Sequence, residues 1–158
     1  MKGLRSLLVI TAAVFGLVRL AHVGIPLVFP DARIGPVTIA SIDDIRRQAG
    51  FAPMLPAYRP ATLGERPIAI TLTYSPRRTL TTVWRNGDEY LSVVQRRGGR
   101  QPDYPPLARP FEDLAGSRWW TNGSRSFLVL SRGSFWITIE TSLPARELER
   151  FAVTLREQ

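Results

Sequence analysis

The sequence predicts an α+β domain. Its antiparallel sheet has about six strands built from hairpins, with a short N-terminal and a longer C-terminal helix packed on it. One transmembrane or signal helix precedes it. Three observations carry this expectation. Alternating apolar runs, broken by Asn-Gly and Arg-Gly dipeptides, recur between Ile68 and Thr141. Two stretches with helical apolar spacing, 41–50 and 144–156, flank those runs. An uncharged stretch, 7–18, follows the basic start at Lys2 and Arg5.

Residues 1–29 read as a signal-anchor helix. The stretch 7–18 is apolar save Thr11, and apolar character continues past Arg19 and His22 to Phe29. As a helix, 7–29 would extend roughly 34 Å, enough for a hydrocarbon core of about 30 Å. Ala21-His22-Val23 is a poor cleavage site, because Val stands where a small residue is wanted. A permanent anchor is therefore favoured, with Lys2 and Arg5 inside and the body outside the cytoplasm. The expected location is the cell membrane, single-pass; the alternative is secretion after signal cleavage. Residues 30–40, with Pro30, Gly35 and Pro36, read as a linker, and 41–158 as the extracytoplasmic domain.

Composition excludes most chemistry. The 158 residues include no cysteine, and the single histidine is His22. A disulfide framework, a thiolate metal site and a cysteine nucleophile are excluded, and the body has no histidine for a triad or a metal site. No P-loop or dinucleotide-binding glycine motif is present. Adjacent carboxylates at Asp43-Asp44, Asp88-Glu89 and Glu112-Asp113 suit a helix start, a hairpin turn and a solvated loop better than acid/base pairs. The expectation is no catalytic residue, no cofactor and no metal.

The net charge is +8, and 20 of the 21 basic residues are arginine. Without Lys2, Arg5 and Arg19 the balance is 18 basic against 13 acidic residues. The arginines are dispersed rather than gathered into a run, which disfavours nucleic acid as a partner. An anionic lipid or wall polymer fits such a surface.

Each element has a local reason. Ser41 can cap a helix that carries Asp43 and Asp44 at its start, Arg46 and Arg47 at its end, and Gly50 beyond. Pro53, Pro56 and Pro60 then require an extended crossing segment. Strands are predicted over 68–74, 79–85, 89–96, 117–121, 125–131 and 134–141. With Asn86-Gly87 as a type I′ turn, Leu80 faces Val93 and Thr82 faces Leu91. Arg132-Gly133 sets Leu130 opposite Phe135, and Asn122-Gly123 sets Trp119 opposite Ser126. Trp119, Leu128, Leu130, Phe135, Ile137 and Ile139 then share one face, and Trp120, Phe127, Val129 and Trp136 the other. The loop over 97–110, with four prolines, is long enough to suggest a functional role. Pro144 opens the last helix, whose apolar stripe is Leu148, Phe151, Ala152 and Leu155.

Ala49-Gly50-Phe51, Pro53 and Leu55-Pro56-Ala57-Tyr58-Arg59-Pro60 resemble the entry of an uncharacterised bacterial domain family. The strand ending in Tyr74, the run Leu91-Ser92-Val93-Val94-Gln95, and Ser142-Leu143 before Glu147-Leu148-Glu149-Arg150-Phe151-Ala152 continue the likeness. That domain occurs outside the membrane in anti-sigma-factor-like and sporulation-related proteins. The resemblance implies a non-catalytic role and supplies no catalytic residues.

The candidate ligand or partner face is Trp84, Tyr90, Trp120 and Trp136, with Arg125. The expected function is a non-catalytic, membrane-anchored extracytoplasmic interaction or sensing domain of a bacterial cell envelope. Its partners would be the membrane, through the N-terminal helix, and an envelope protein, lipid or anionic polymer. The alternatives are a carrier or binder of a lipid or anionic envelope polymer and, less favoured, an envelope-polymer hydrolase.

Overall fold

A computed structural model describes residues 35–74, 77–112 and 114–157. The chain divides into two compact units. One comprises Met1–Gly35 with Tyr74–Pro76, of which only Gly35 and Tyr74 are described. The other, Pro36–Thr73 with Arg77–Gln158, holds every element below.

The fold is mostly antiparallel β, which overturns the expected α+β arrangement of about six strands. Eight strands form one sheet in the order β1-β3-β4-β5-β9-β8-β7-β6. They are β1 Pro36–Thr38, β3 Ala69–Thr73, β4 Thr79–Asn86, β5 Glu89–Arg97, β6 Arg109–Phe111, β7 Leu114–Asn122, β8 Arg125–Arg132 and β9 Phe135–Thr141. A separate two-stranded ribbon pairs β2, Met54–Pro56, with β10, Leu155–Glu157. Among the described residues there are two α-helices, α1 Ile42–Ala49 and α2 Ala145–Thr154, and one 3-10 turn, Ala61–Leu63.

The four additional strands explain the difference. Each of β1, β2, β6 and β10 is three residues long, too short for alternation to register. Pro36 opens edge strand β1 and Pro110 sits in edge strand β6, where an absent N–H need not leave a gap in the ladder. The stretch expected to continue α2 as far as Arg156 instead turns extended at Leu155 (φ −61°, ψ 124°) and pairs Leu155 with Pro56.

The expected membrane location is likewise corrected. Among the described residues no helix is long and apolar enough to cross a membrane. At 8 and 10 residues, α1 and α2 fall well short of the roughly 20 apolar residues a span needs. The predicted anchor over 1–29 lies outside the described residues, so the single-pass placement is not carried forward.

The hairpins occur where glycine punctuates the sequence, but their registers differ from expectation in one consistent way. Asn86 pairs with Glu89, Asn122 with Arg125 and Arg132 with Phe135. The two-residue loops are therefore Gly87-Asp88, Gly123-Ser124 and Gly133-Ser134. Each glycine has positive φ (57°, 61° and 57°), and no other residue type does among those described. Positive φ at the first loop position alone matches the glycine-first II′ pattern, not the I′ turn. Every register moves by two residues: Leu80 faces Gln95, Thr82 faces Val93, Trp119 faces Leu128 and Leu130 faces Ile137. A shift of two preserves which face each side chain occupies.

One face of the sheet is packed. Leu72, Leu80, Trp84, Leu91, Val93, Leu128, Ile137 and Ile139 are all fully buried. The β5–β9 seam joins a β3-β4-β5 meander to a β6-β7-β8-β9 meander, setting Val93 against Ile139. α2 packs on β8 and on β2, burying Leu148, Phe151 and Ala152. Phe51 meets Phe135 edge-on at 5.2 Å, and Arg132 donates to the Ala152 carbonyl at 3.0 Å. Inside this layer Gln95 is fully buried, and its Oε1 accepts the Met54 N–H at 2.6 Å. That bond ties the ribbon to the middle of the sheet.

Candidate ligand-binding face

The opposite face is read directly from the register. Along one row, Arg85 faces Tyr90, whose carbonyl accepts the Ser142 N–H where β9 ends. The next row runs Val83, Ser92, Glu140, Phe127, Trp120. It is followed by Thr81, Val94, Thr138, Val129, Arg118 and then by Thr79, Arg96, Trp136, Ser131. On β3 and β1 the same face continues as Thr71, Thr73 and Thr38. One end of the face is thus threonine-rich, and the other carries aromatic rings and arginines.

Three of the predicted site residues meet there. Arg125 places its guanidinium 5.0 Å from the centre of the Tyr90 ring and pairs with Glu140. Its side chain is still 52% exposed. Each contact is worth well under 2 kcal/mol at such an exposed site, so they orient Arg125 without consuming its charge. Beside it Trp120 stacks on Phe127, with centroids 5.3 Å apart and planes within 7°. Ser142 extends the ladder past β9: its hydroxyl accepts the Tyr90 N–H at 2.9 Å and donates to the Asp88 carbonyl at 3.0 Å. This fixes the backbone under Tyr90.

Trp136 is on the same face but farther along. It lies four residues from Glu140 on β9, about 13 Å away. Its indole N–H donates to the Gly99 carbonyl at 3.0 Å, which engages the ring with the proline-rich loop. That loop runs along this end of the face: Arg96 donates to the Arg100 carbonyl, and Arg118 lies 6.0 Å from the Tyr104 ring centre. Arg96 Nε is buried with no hydrogen-bond partner.

Trp84 does not belong to the site. It shares a strand face with Leu80, opposite Leu91, and is fully buried. Residues four apart on a strand project to one side, so Trp84 had to follow Leu80 into the core. Arg59 lies 5.6 Å from its ring centre. Conversely, Phe127, Glu140, Arg96, Arg118 and Tyr104 were not among the predicted site residues. Alternation from Trp120 and Trp136, with the β7–β8 hairpin, would have found Phe127, Glu140 and Arg118, and alternation from Tyr90 would have found Arg96. Nothing local in the sequence points to Tyr104.

Two shallow depressions lie near this region. One, of about 250 Å³, is lined by Arg100, Gln101, Pro102, Asp103 and Tyr104. The other, of about 310 Å³, is lined by Leu107, Arg109, Trp119, Trp120 and Thr121. Among the described residues no cluster of His, Asp and Glu could hold a metal ion.

No protein-family model matches the chain, and no curated protein matches it. The functional reading therefore rests on the geometry of the face.

Proposed function

We propose that the chain is a non-catalytic binding domain that takes an anionic polymer at the Arg125 end of the sheet face opposite the packed one. The observation that carries this reading is Arg125, oriented by Tyr90 and Glu140, half exposed, and flanked by the stacked Trp120–Phe127 pair. Strand positions on this face carry Arg85, Arg96, Arg118 and Arg125 against a single carboxylate, Glu140. Such a field attracts polyanions, and aromatic rings beside it offer apolar stacking to repeating units.

Equilibrium titration tests it, using a polyuronate, a polyphosphate and phosphatidylglycerol vesicles. Binding of at least one polymer is expected, weakened by salt and by Arg125→Gln. Absence of binding to both polymers, or binding indifferent to Arg125, would overturn the reading. Vesicle binding alone would redirect it to a lipid surface.

A further inference from the structure

The outer edge of β7 holds a second feature. The loop Gly123-Ser124 makes Asn122 and Arg125 the hydrogen-bonded pair that closes the hairpin. Alternation then leaves Thr121 and Ser126 a non-hydrogen-bonded pair. The Thr121 N–H and C=O accordingly point away from β8, toward the side where β6 lies. But β6 reaches only as far as Arg109 opposite Trp119. The position that would face Thr121 belongs to Leu107, and a turn closed by the Ala108 N–H on the Pro105 carbonyl, at 2.9 Å, diverts it. Leu107 is left 87% exposed, and no backbone bond on that side of Thr121 occurs among the described residues. The depression of about 310 Å³ lies here, walled by Trp119, Trp120 and Thr121, with Leu107 and Arg109 at one end.

We infer that this notch captures the free C-terminus of an extended partner peptide, which adds as a short strand to the β7 edge. Strand polarity decides which end of the peptide enters. β6 is antiparallel to β7 and begins at Arg109. A peptide continuing its line upstream runs in the same direction, so its last residue abuts Leu107–Arg109. The chain must end there, because β6 occupies the line beyond. Its terminal carboxylate meets the Arg109 guanidinium, and no acidic side chain lines the depression. Its backbone pairs with Thr121, and its last side chain lies against the tryptophans. This is strand addition with carboxylate capture, in which main-chain bonds supply affinity and the terminal charge supplies selectivity.

The test is capture by the immobilised full chain of a randomised hexapeptide pool with free C-terminal carboxylates, beside the same pool carboxamidated. Retention of the free-acid pool is expected to exceed that of the amide pool by about tenfold or more. Arg109→Gln is expected to abolish the difference. Thr121→Pro removes the outward N–H and fixes the local φ at an edge position, and is expected to reduce retention of the free-acid pool, with thermal melting checking that both variants fold. Equal retention of the two pools, retention of neither, or variants that fold and retain the free-acid pool normally would overturn the inference. Self-association displacing the pool would assign the notch to a second copy instead. The open-face reading stands apart from these results, because Arg125→Gln leaves the notch intact.

Discussion

Tyr58 donates its phenolic hydrogen to Glu147 Oε2 at 2.7 Å, joining the proline-rich crossing segment to α2. Arg150 completes the group, donating to the Tyr58 hydroxyl oxygen at 3.1 Å and lying 4.1 Å from the ring centre. The bond to Glu147, then desolvation, raises the Tyr58 pKa above its ordinary 10.0. The folded state therefore holds this proton more tightly than the unfolded chain does. The contribution is complete below about pH 10 and is lost as pH rises through the raised value. Tyr58→Phe is expected to lower the melting midpoint at neutral pH and to flatten its alkaline fall. An alkaline limb identical in both proteins would show that the bond contributes nothing.

At the start of α1 the sign is reversed. The Ser41 side chain accepts the Asp44 N–H at 3.3 Å and bonds the Asp44 carboxylate at 2.7 Å. The Ser41 hydroxyl first, and then Arg47, hold the Asp44 carboxyl below its ordinary 3.8. Its stabilisation is present above that ordinary value and is lost as pH falls through the lowered one. Ser41→Ala is expected to cost about 1 kcal/mol of unfolding free energy at neutral pH. The deficit should shrink in acid, as followed by urea melts across the acid range.

Gln95 supplies the polar tie between the two β layers. Replacing it with Leu preserves volume but leaves the Met54 N–H buried without its acceptor. The expected cost is about 1–3 kcal/mol by urea denaturation. A neutral result would mean that the ribbon shifts to find another partner. That shift would appear as retained hydrogen-exchange protection at Met54 despite the lost acceptor.

The tryptophans separate by role. Trp84→Ala is expected to cost about 3–5 kcal/mol, because a fully buried ring leaves a cavity. Trp120→Ala is expected to cost about 1 kcal/mol, since the ring is half-buried and loses mainly its stacking on Phe127. Polymer binding should fall for Trp120→Ala and persist in whatever fraction of Trp84→Ala remains folded. The reverse ranking of stabilities would contradict the assignment of faces.

What the sequence revealed follows from the range of each signal. Alternation over seven to nine residues marked β4, β5, β8 and β9, and period-two counting placed Trp120, Phe127, Val129 and Trp136 together. Turn type was less legible, because Asn-Gly suits both sides of a one-position ambiguity in the loop. The backbone chose glycine-first loops at all three hairpins, moving each register by two residues. The short strands depend on partners remote in sequence: β10 exists because Met54–Pro56 presents an edge to it. Trp84 lies four residues from Leu80 on one strand, and that spacing, not its aromatic character, sets its place in the core. The Arg125–Glu140 pair links β8 to β9, and the Trp136–Gly99 bond links β9 to a loop 37 residues away, so only tertiary structure shows them.

The most direct measurement of the open-face proposal is a backbone amide shift map of the full chain titrated with the polymer that binds it. The account predicts that perturbations concentrate at Tyr90, Ser92, Trp120, Arg125, Phe127 and Glu140, while the buried residues Ile45 in α1 and Leu148 and Phe151 in α2 stay unmoved. Shifts centred on α1 and α2, with the Tyr90–Arg125 row silent, would contradict it.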